Sequence, residues 1–174
     1  MNRRTYLQAV VATGVGAGLS GCLDGESGLA GEEITTQTPV PFSPADDPWQ
    51  ELTENRDRNS ISASGRGRLQ RGEYASWQFQ TGLNPSLSYS LTVDGDHSLD
   101  VFPMAGDAYG VYRERREARF YDNVVAVGAS DTTRGGEIGR GAVYQLVFDN
   151  TDVFGSAAES AVPFEFEATA TYET

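Results

Sequence analysis

Residues 87–93 read Leu87-Ser88-Tyr89-Ser90-Leu91-Thr92-Val93, four apolar side chains alternating with three hydroxyls. A period of two sends the apolar set to one face of a strand and the hydroxyls to the other, so one face is buried and one is wet. The same beat recurs at Ala75, Trp77 and Phe79. It returns at Val162, Phe164, Phe166 and Ala168, where Pro163, Glu165, Glu167 and Thr169 take the wet positions. Residues 124–127 and 143–148 are β-branched or aromatic runs, and shorter candidates lie near Ile61 and at 99–104. Turn chemistry separates these segments: Arg71-Gly72, Gly82-Leu83-Asn84-Pro85, Asp94-Gly95, Gly135-Gly136 and Asp149-Asn150. About seven short strands between such turns predict an all-β domain over residues 61–174, an antiparallel β-sandwich of jelly-roll type.

One stretch breaks the beat. Between 107 and 121, Ala108, Val111, Tyr112, Arg115 and Ala118 share one helical side, which predicts a short helix laid over a sheet edge or sandwich end. Tyr109, Tyr112, Arg113, Arg115, Arg116 and Arg119 in this stretch form a candidate recognition patch for an acidic protein, a glycan or a lipid headgroup. Aromatic rings would supply area there and arginine would supply bidentate contacts. The same residues also fit a solvated helix with internal Arg/Glu pairing.

The 174-residue chain carries 25 acidic and 13 basic residues, a formal charge of -12, and every basic residue is arginine. A nucleic-acid partner would require the opposite balance and is excluded. Self-repulsion at this charge is costly in dilute buffer, but in 1 M salt the Debye length falls to about 3 Å and the repulsion is mostly screened. An acidic, lysine-free composition of this kind resembles that of proteins from halophilic archaea.

With one cysteine and one histidine, the chain holds no thiol pair, no zinc-finger ligand set and no blue-copper site. His97 lies in Asp94-Gly95-Asp96-His97-Ser98-Leu99-Asp100, where Asp94, Asp96 and Asp100 are weak candidate oxygen ligands for a cation. EF-hand spacing is absent, and an Asp-Gly hairpin turn accounts for the same residues. Asp149-Asn150-Thr151-Asp152 poses the same choice between calcium oxygens and a strand cap. A hydrolytic triad would need His97, and no serine stands in a G-x-S-x-G context. A pair of carboxylates of the glycosidase kind is compatible with so many acids. The chain therefore reads as no enzyme and implies no cofactor. Its leading role is non-enzymatic binding or assembly, with a calcium-dependent carbohydrate-binding module and a small acid-pair hydrolase as alternatives.

The first residues run Asn2-Arg3-Arg4-Thr5-Tyr6-Leu7, then stay uncharged from Ala9 to Gly21 before reaching Cys22. That is the layout of an export signal, and the apolar stretch is well short of the ~20 residues that span a bilayer. Arg3-Arg4 with Tyr6-Leu7 resembles the twin-arginine export motif, and Leu19-Ser20-Gly21-Cys22 resembles a lipobox. The resemblance to a haloarchaeal twin-arginine-exported lipoprotein implies a signal peptide over 1–21 and a lipid on the Cys22 thiol. It also implies attachment to the extracellular side of the cell membrane, where a protein or glycan partner would be met. Residues 22–60 then read as the lipidated cysteine and an acidic flexible linker. Inside that linker, Asp47-Pro48-Trp49-Gln50-Glu51-Leu52 carries helix-start signals, which leaves a docked helical turn and a mobile segment both open.

Leu69-Gln70-Arg71-Gly72-Glu73-Tyr74 and Ile138-Gly139-Arg140-Gly141-Ala142-Val143-Tyr144 each carry an apolar residue, Arg-Gly and an aromatic entering a strand. With Val147-Phe148-Asp149-Asn150-Thr151 they resemble β-sandwich modules of the GOLD and prepeptidase C-terminal type, over residues 61–174. That resemblance implies an accessory binding or assembly domain and assigns no site residue.

Overall fold

The computed structural model describes residues 41–116, 118–139, 143–153 and 157–174. Arg3, Arg4 and Cys22, and with them the export and lipidation readings, lie outside the described residues. The elements are β1 (Ser43–Pro44), β2 (Trp49–Asp57), β3 (Ser60–Leu69), β4 (Glu73–Gln80), β5 (Leu83–Val93) and β6 (Leu99–Ala105). They continue with α1 (Gly106–Arg113), β7 (Ala126–Ala129), β8 (Asp131–Glu137), β9 (Val143–Asp149) and β10 (Val162–Glu173). Two five-stranded sheets result, ordered β1-β4-β9-β6-β7 and β2-β3-β10-β5-β8. All strand pairs are antiparallel except the two-residue pairing of β1 with β4. Only the β2–β3 and β6–β7 connections stay within one sheet. The fold is thus the all-β sandwich that the alternation predicts.

The predicted apolar positions meet between the sheets. Leu87, Tyr89, Leu91 and Val93 on β5, with Val162, Phe164, Phe166 and Ala168 on β10, face Trp77 and Phe79 on β4 and Tyr144, Leu146 and Phe148 on β9. Trp77 stacks on Phe79 at 4.7 Å, and Phe148 lies 5.1 and 4.8 Å from the rings of Phe164 and Phe166. A second cluster lies on the far side of the first sheet. There α1 and the chain after it cover Tyr74, Phe102, Met104 and Val147 with Tyr112 and Ala118. This roof explains why nearly every residue of β6 and β9 is buried, since neither face of those strands meets water. The first sheet is called roofed below, and the second bare.

Three strands, β1, β2 and β8, escape the periodicity, and the last two are the edges of the bare sheet. Residues 49–57 form β2, not a helical turn, so the expected linker stops well short of residue 60. Almost nothing on β2 is buried, and its polar sequence has no beat. What holds it is the backbone ladder to β3 and the half-buried Trp49, whose ring lies 5.7, 5.8 and 5.3 Å from those of Phe148, Phe164 and Phe166. A bulge between Trp49 and Glu51 re-aims that ring. Gly135-Gly136, expected as a turn, runs inside β8 against Ser88 and Leu87. A Cβ on Gly136 would come within 2.5 Å of the Asn123 amide nitrogen, which donates to the Glu137 carbonyl at 2.8 Å.

Glycine also sets how closely β2 and the phenylalanines approach β3. A Cβ at Gly67 would lie 2.5 Å from Cζ of Phe164 and 3.0 Å from the Pro48 carbonyl oxygen. Gly67→Ala is therefore expected to cost about 1–3 kcal/mol by overpacking, read as a lowered urea midpoint at fixed molar salt. An unchanged midpoint would show that the ring has room to move.

Candidate functional site

The predicted helix ends at Arg113, not near residue 121. Glu114 caps it, the Arg115 N–H donates to the Tyr112 carbonyl at 2.8 Å, and the Arg116 N–H donates to that of Val111 at 3.2 Å. This is a Schellman close, with Arg115 at φ 55° in the left-handed position that glycine normally fills. The turn scatters the expected patch. Tyr112 is buried under the roof, at 1% exposure, and its hydroxyl donates to Oδ2 of Asp149 at 2.9 Å. Arg113 stands 5.9 Å from the Tyr109 ring and acts on the Tyr74 phenol, whose pKa it lowers against the larger rise from burial. Arg115 lies over the Phe42 ring at 5.4 Å and pairs with Asp152 at 2.6 Å, and Arg116 pairs with Glu114 at 2.8 Å. Arg116 and Arg119 are exposed. Tyr109, Tyr112 and Arg113 therefore converge on Tyr74, and this cluster fastens the roof to the sheet. The surface pairs themselves add at most about 1 kcal/mol each.

Beneath the roof lie two carboxylates. Asp149 and Asp100 are cross-strand partners on β9 and β6, exposed to 3% and 8%. Burial pushes the Asp149 carboxyl up to about 6. The neighbouring Asp100 charge raises it further, while hydrogen bonds from Thr151 and Tyr112 act against the rise. Burial also raises Asp100, opposed by the Gly128 N–H, which donates to its Oδ1 at 2.6 Å. Next to them Asn150 donates to the Gln70 carbonyl at 3.1 Å and accepts from the Ala158 N–H at 2.8 Å. The Asp149-Asn150-Thr151 segment is thus a strand cap. Asp94 and Asp96 are exposed at the opposite end of their turn from the inward-facing Asp100, so the three do not converge. His97 meets Ser160 at 3.2 Å instead. Among the described residues no group of three or more His, Cys, Asp or Glu side chains is placed to hold a metal ion.

The bare sheet carries what the sequence reading missed. Its outer face is ruled into cross-strand rows of charged and hydroxyl side chains. One row runs Glu51, Arg66, Glu165, Thr92 and the next Thr53, Ser64, Glu167, Ser90, each crossing β2, β3, β10 and β5 in turn. Between these rows a trough of about 490 Å³ crosses four strands, floored by the backbone at Gly65 and Phe166. The one ion pair in it joins Nε of Arg66 to Oε1 of Glu165 at 2.6 Å. A larger and more open hollow, about 610 Å³, lies at the sandwich end around Asp57, Asn84 and Glu173. Neither cavity is lined by Asp100 or Asp149. The signal for the trough was the set of wet positions Ser90, Thr92, Glu165 and Glu167. Only the strand register shows that they adjoin one another.

The sequence matches no protein-family model and no curated protein. Among solved structures the chain is similar to Aeromonas hydrophila PliG, a periplasmic lysozyme inhibitor of g-type lysozyme. The two are 10% identical with a TM-score of 0.44, over 76% of this chain and 98% of that one. It is also similar to a family 29 carbohydrate-binding module, at 12% identity and a TM-score of 0.30, over 77% of this chain and 88% of that one.

Proposed function

We propose that the protein is a non-enzymatic binding domain held at the extracellular side of the cell membrane by a lipid on Cys22, with the outer face of the bare sheet as its binding surface. One observation carries this reading. Of the two outer sheet faces, one is sealed by α1 with the buried carboxylates beneath it, and the other is left uncovered by the described residues, polar and crossed by a trough. A hydrolase needs its acid pair in a cleft that substrate can enter. Here the pair with displaced protonation, Asp100 and Asp149, is capped by the Tyr112 hydroxyl. No helix among the described residues is long and apolar enough to cross a membrane. In this reading a thioether at Cys22 carries two chains, which suffice for stable anchoring where one would be marginal. The acidic, lysine-free surface suits the molar salt in which such a cell surface would sit.

Cys22→Ser should move the protein from the detergent phase to the aqueous phase in a temperature-driven detergent partition. Intact mass of the native protein should show loss of residues 1–21 and a lipid adduct. A native mass with a free thiol and the leader in place would overturn the anchor. For the binding surface, a photo-crosslinker at Ser64 should capture envelope material in intact cells at native salt, while one at Arg119 should not. Equal capture at the two positions would overturn the assignment of the face.

A further inference from the structure

Resting on that reading, we infer that the trough takes a neutral polysaccharide chain laid across the strands. Glu51, Glu165 and Glu167 line the trough with carboxylate oxygens that accept hydrogen bonds, and its one guanidinium, Arg66, is engaged by Glu165. The hydroxyls beside them donate or accept as required. The complementary ligand is therefore rich in donors, and a chain of sugar hydroxyls supplies them as charge-assisted hydrogen bonds to the carboxylates.

Charge removes one competing class. Three carboxylates against one arginine repel polyuronates, sulfated glycans and nucleic acid. A basic peptide passes that test and fails two others. Peptides bind sheets by extending an edge ladder or by seating apolar side chains in pockets. The trough lies over the interior strands β3, β10 and β5, whose backbone groups are already paired on both sides, and over one flank of β2, so a strand added at the β2 edge would sit beside it; its lining side chains are mostly polar and offer no apolar pocket. With strands ~4.8 Å apart, four strands give a length of about 14 Å, room for several sugar units in line.

The test uses the purified full-length lipoprotein in detergent at molar salt. The probes are soluble neutral glucans, mannans and galactans, with polygalacturonate and polylysine alongside. At least one neutral polysaccharide should bind and polygalacturonate should not. Glu167→Gln should weaken binding at least tenfold, as loss of a hydrogen bond to a charged group does. Ser64→Trp, which fills the trough from an exposed position, should abolish it with an unchanged melting temperature. If no neutral polysaccharide binds, or if Ser64→Trp leaves binding intact, the inference is overturned. Polylysine binding at molar salt that Ser64→Trp abolishes, with no neutral polysaccharide bound, would replace the glycan with a basic polypeptide, yet leave the bare face standing as a binding surface. If Ser64→Trp also leaves capture of envelope material in cells unchanged, the surface assignment falls with it.

Discussion

Phe148→Ala is expected to remove about 3–5 kcal/mol of stability, enough to unfold much of a domain whose total is of order 5–15 kcal/mol. The ring is fully buried on β9 in the roofed sheet and packs against Phe164 and Phe166 of the bare sheet and Trp49 of its edge. Truncation leaves a cavity where the two sheets and β2 meet, and none of the rigid neighbours can close it. Loss of the cooperative transition, or a urea midpoint far below the native one at the same salt, is the result to look for. Ser90→Ala, on the outer face of the same sandwich, is the matched control and should stay within about 0.5 kcal/mol. A Phe148→Ala protein with near-native stability would mean that the sheets do not meet through these rings.

Stability should fall as pH rises from 4 to 7, against the usual trend for carboxylates. Asp149 is held at about 6 by burial and by Asp100, whereas the same side chain in the unfolded chain titrates near 3.9. The folded state thus binds the extra proton. Its contribution is fully present below about pH 4 and is lost as pH climbs through 6, a change on the order of 3 kcal/mol. Asp100, also raised by burial, acts in the same direction. The groups facing Asp149 are the Tyr112 hydroxyl from α1, the Thr151 N–H from its own strand end, Asp100 on β6 and Tyr74 on β4. No cation is among them to reverse the sign. Molar salt suppresses the general surface repulsion, so the unfolding free energy measured at pH 4 and at pH 7 isolates this pair. Asp149→Asn should flatten the dependence whatever it does to the absolute value. A native profile that rises with pH over this range would refute the assignment.

How much of this was legible beforehand depended on whether a residue's role is local. The alternation in β5 and β10 and the apolar runs of β6 and β9 were readable because burial on one or both faces forces those side-chain types. The edges β2 and β8 were not, since an edge strand needs only a neighbour's backbone and leaves no hydrophobic period in its own sequence. The signals at Asp47-Pro48 and at Gly135-Gly136 were real local preferences overruled by that pairing. The helix was foreseen, but its length was not, because the Arg115 turn owes its place to Phe42 and Asp152, residues remote in the chain.

From residue types and spacing alone came the two-faced strands, the acidic lysine-free surface and the single cysteine behind an uncharged stretch. These are local properties, carried by side chains that keep their character in any fold. Tertiary structure alone decided which sheet is roofed, that Tyr112 turns inward to Asp149, and that polar side chains from four strands line one trough. Each of those depends on register between distant strands, where a shift of one residue would send every side chain to the opposite face.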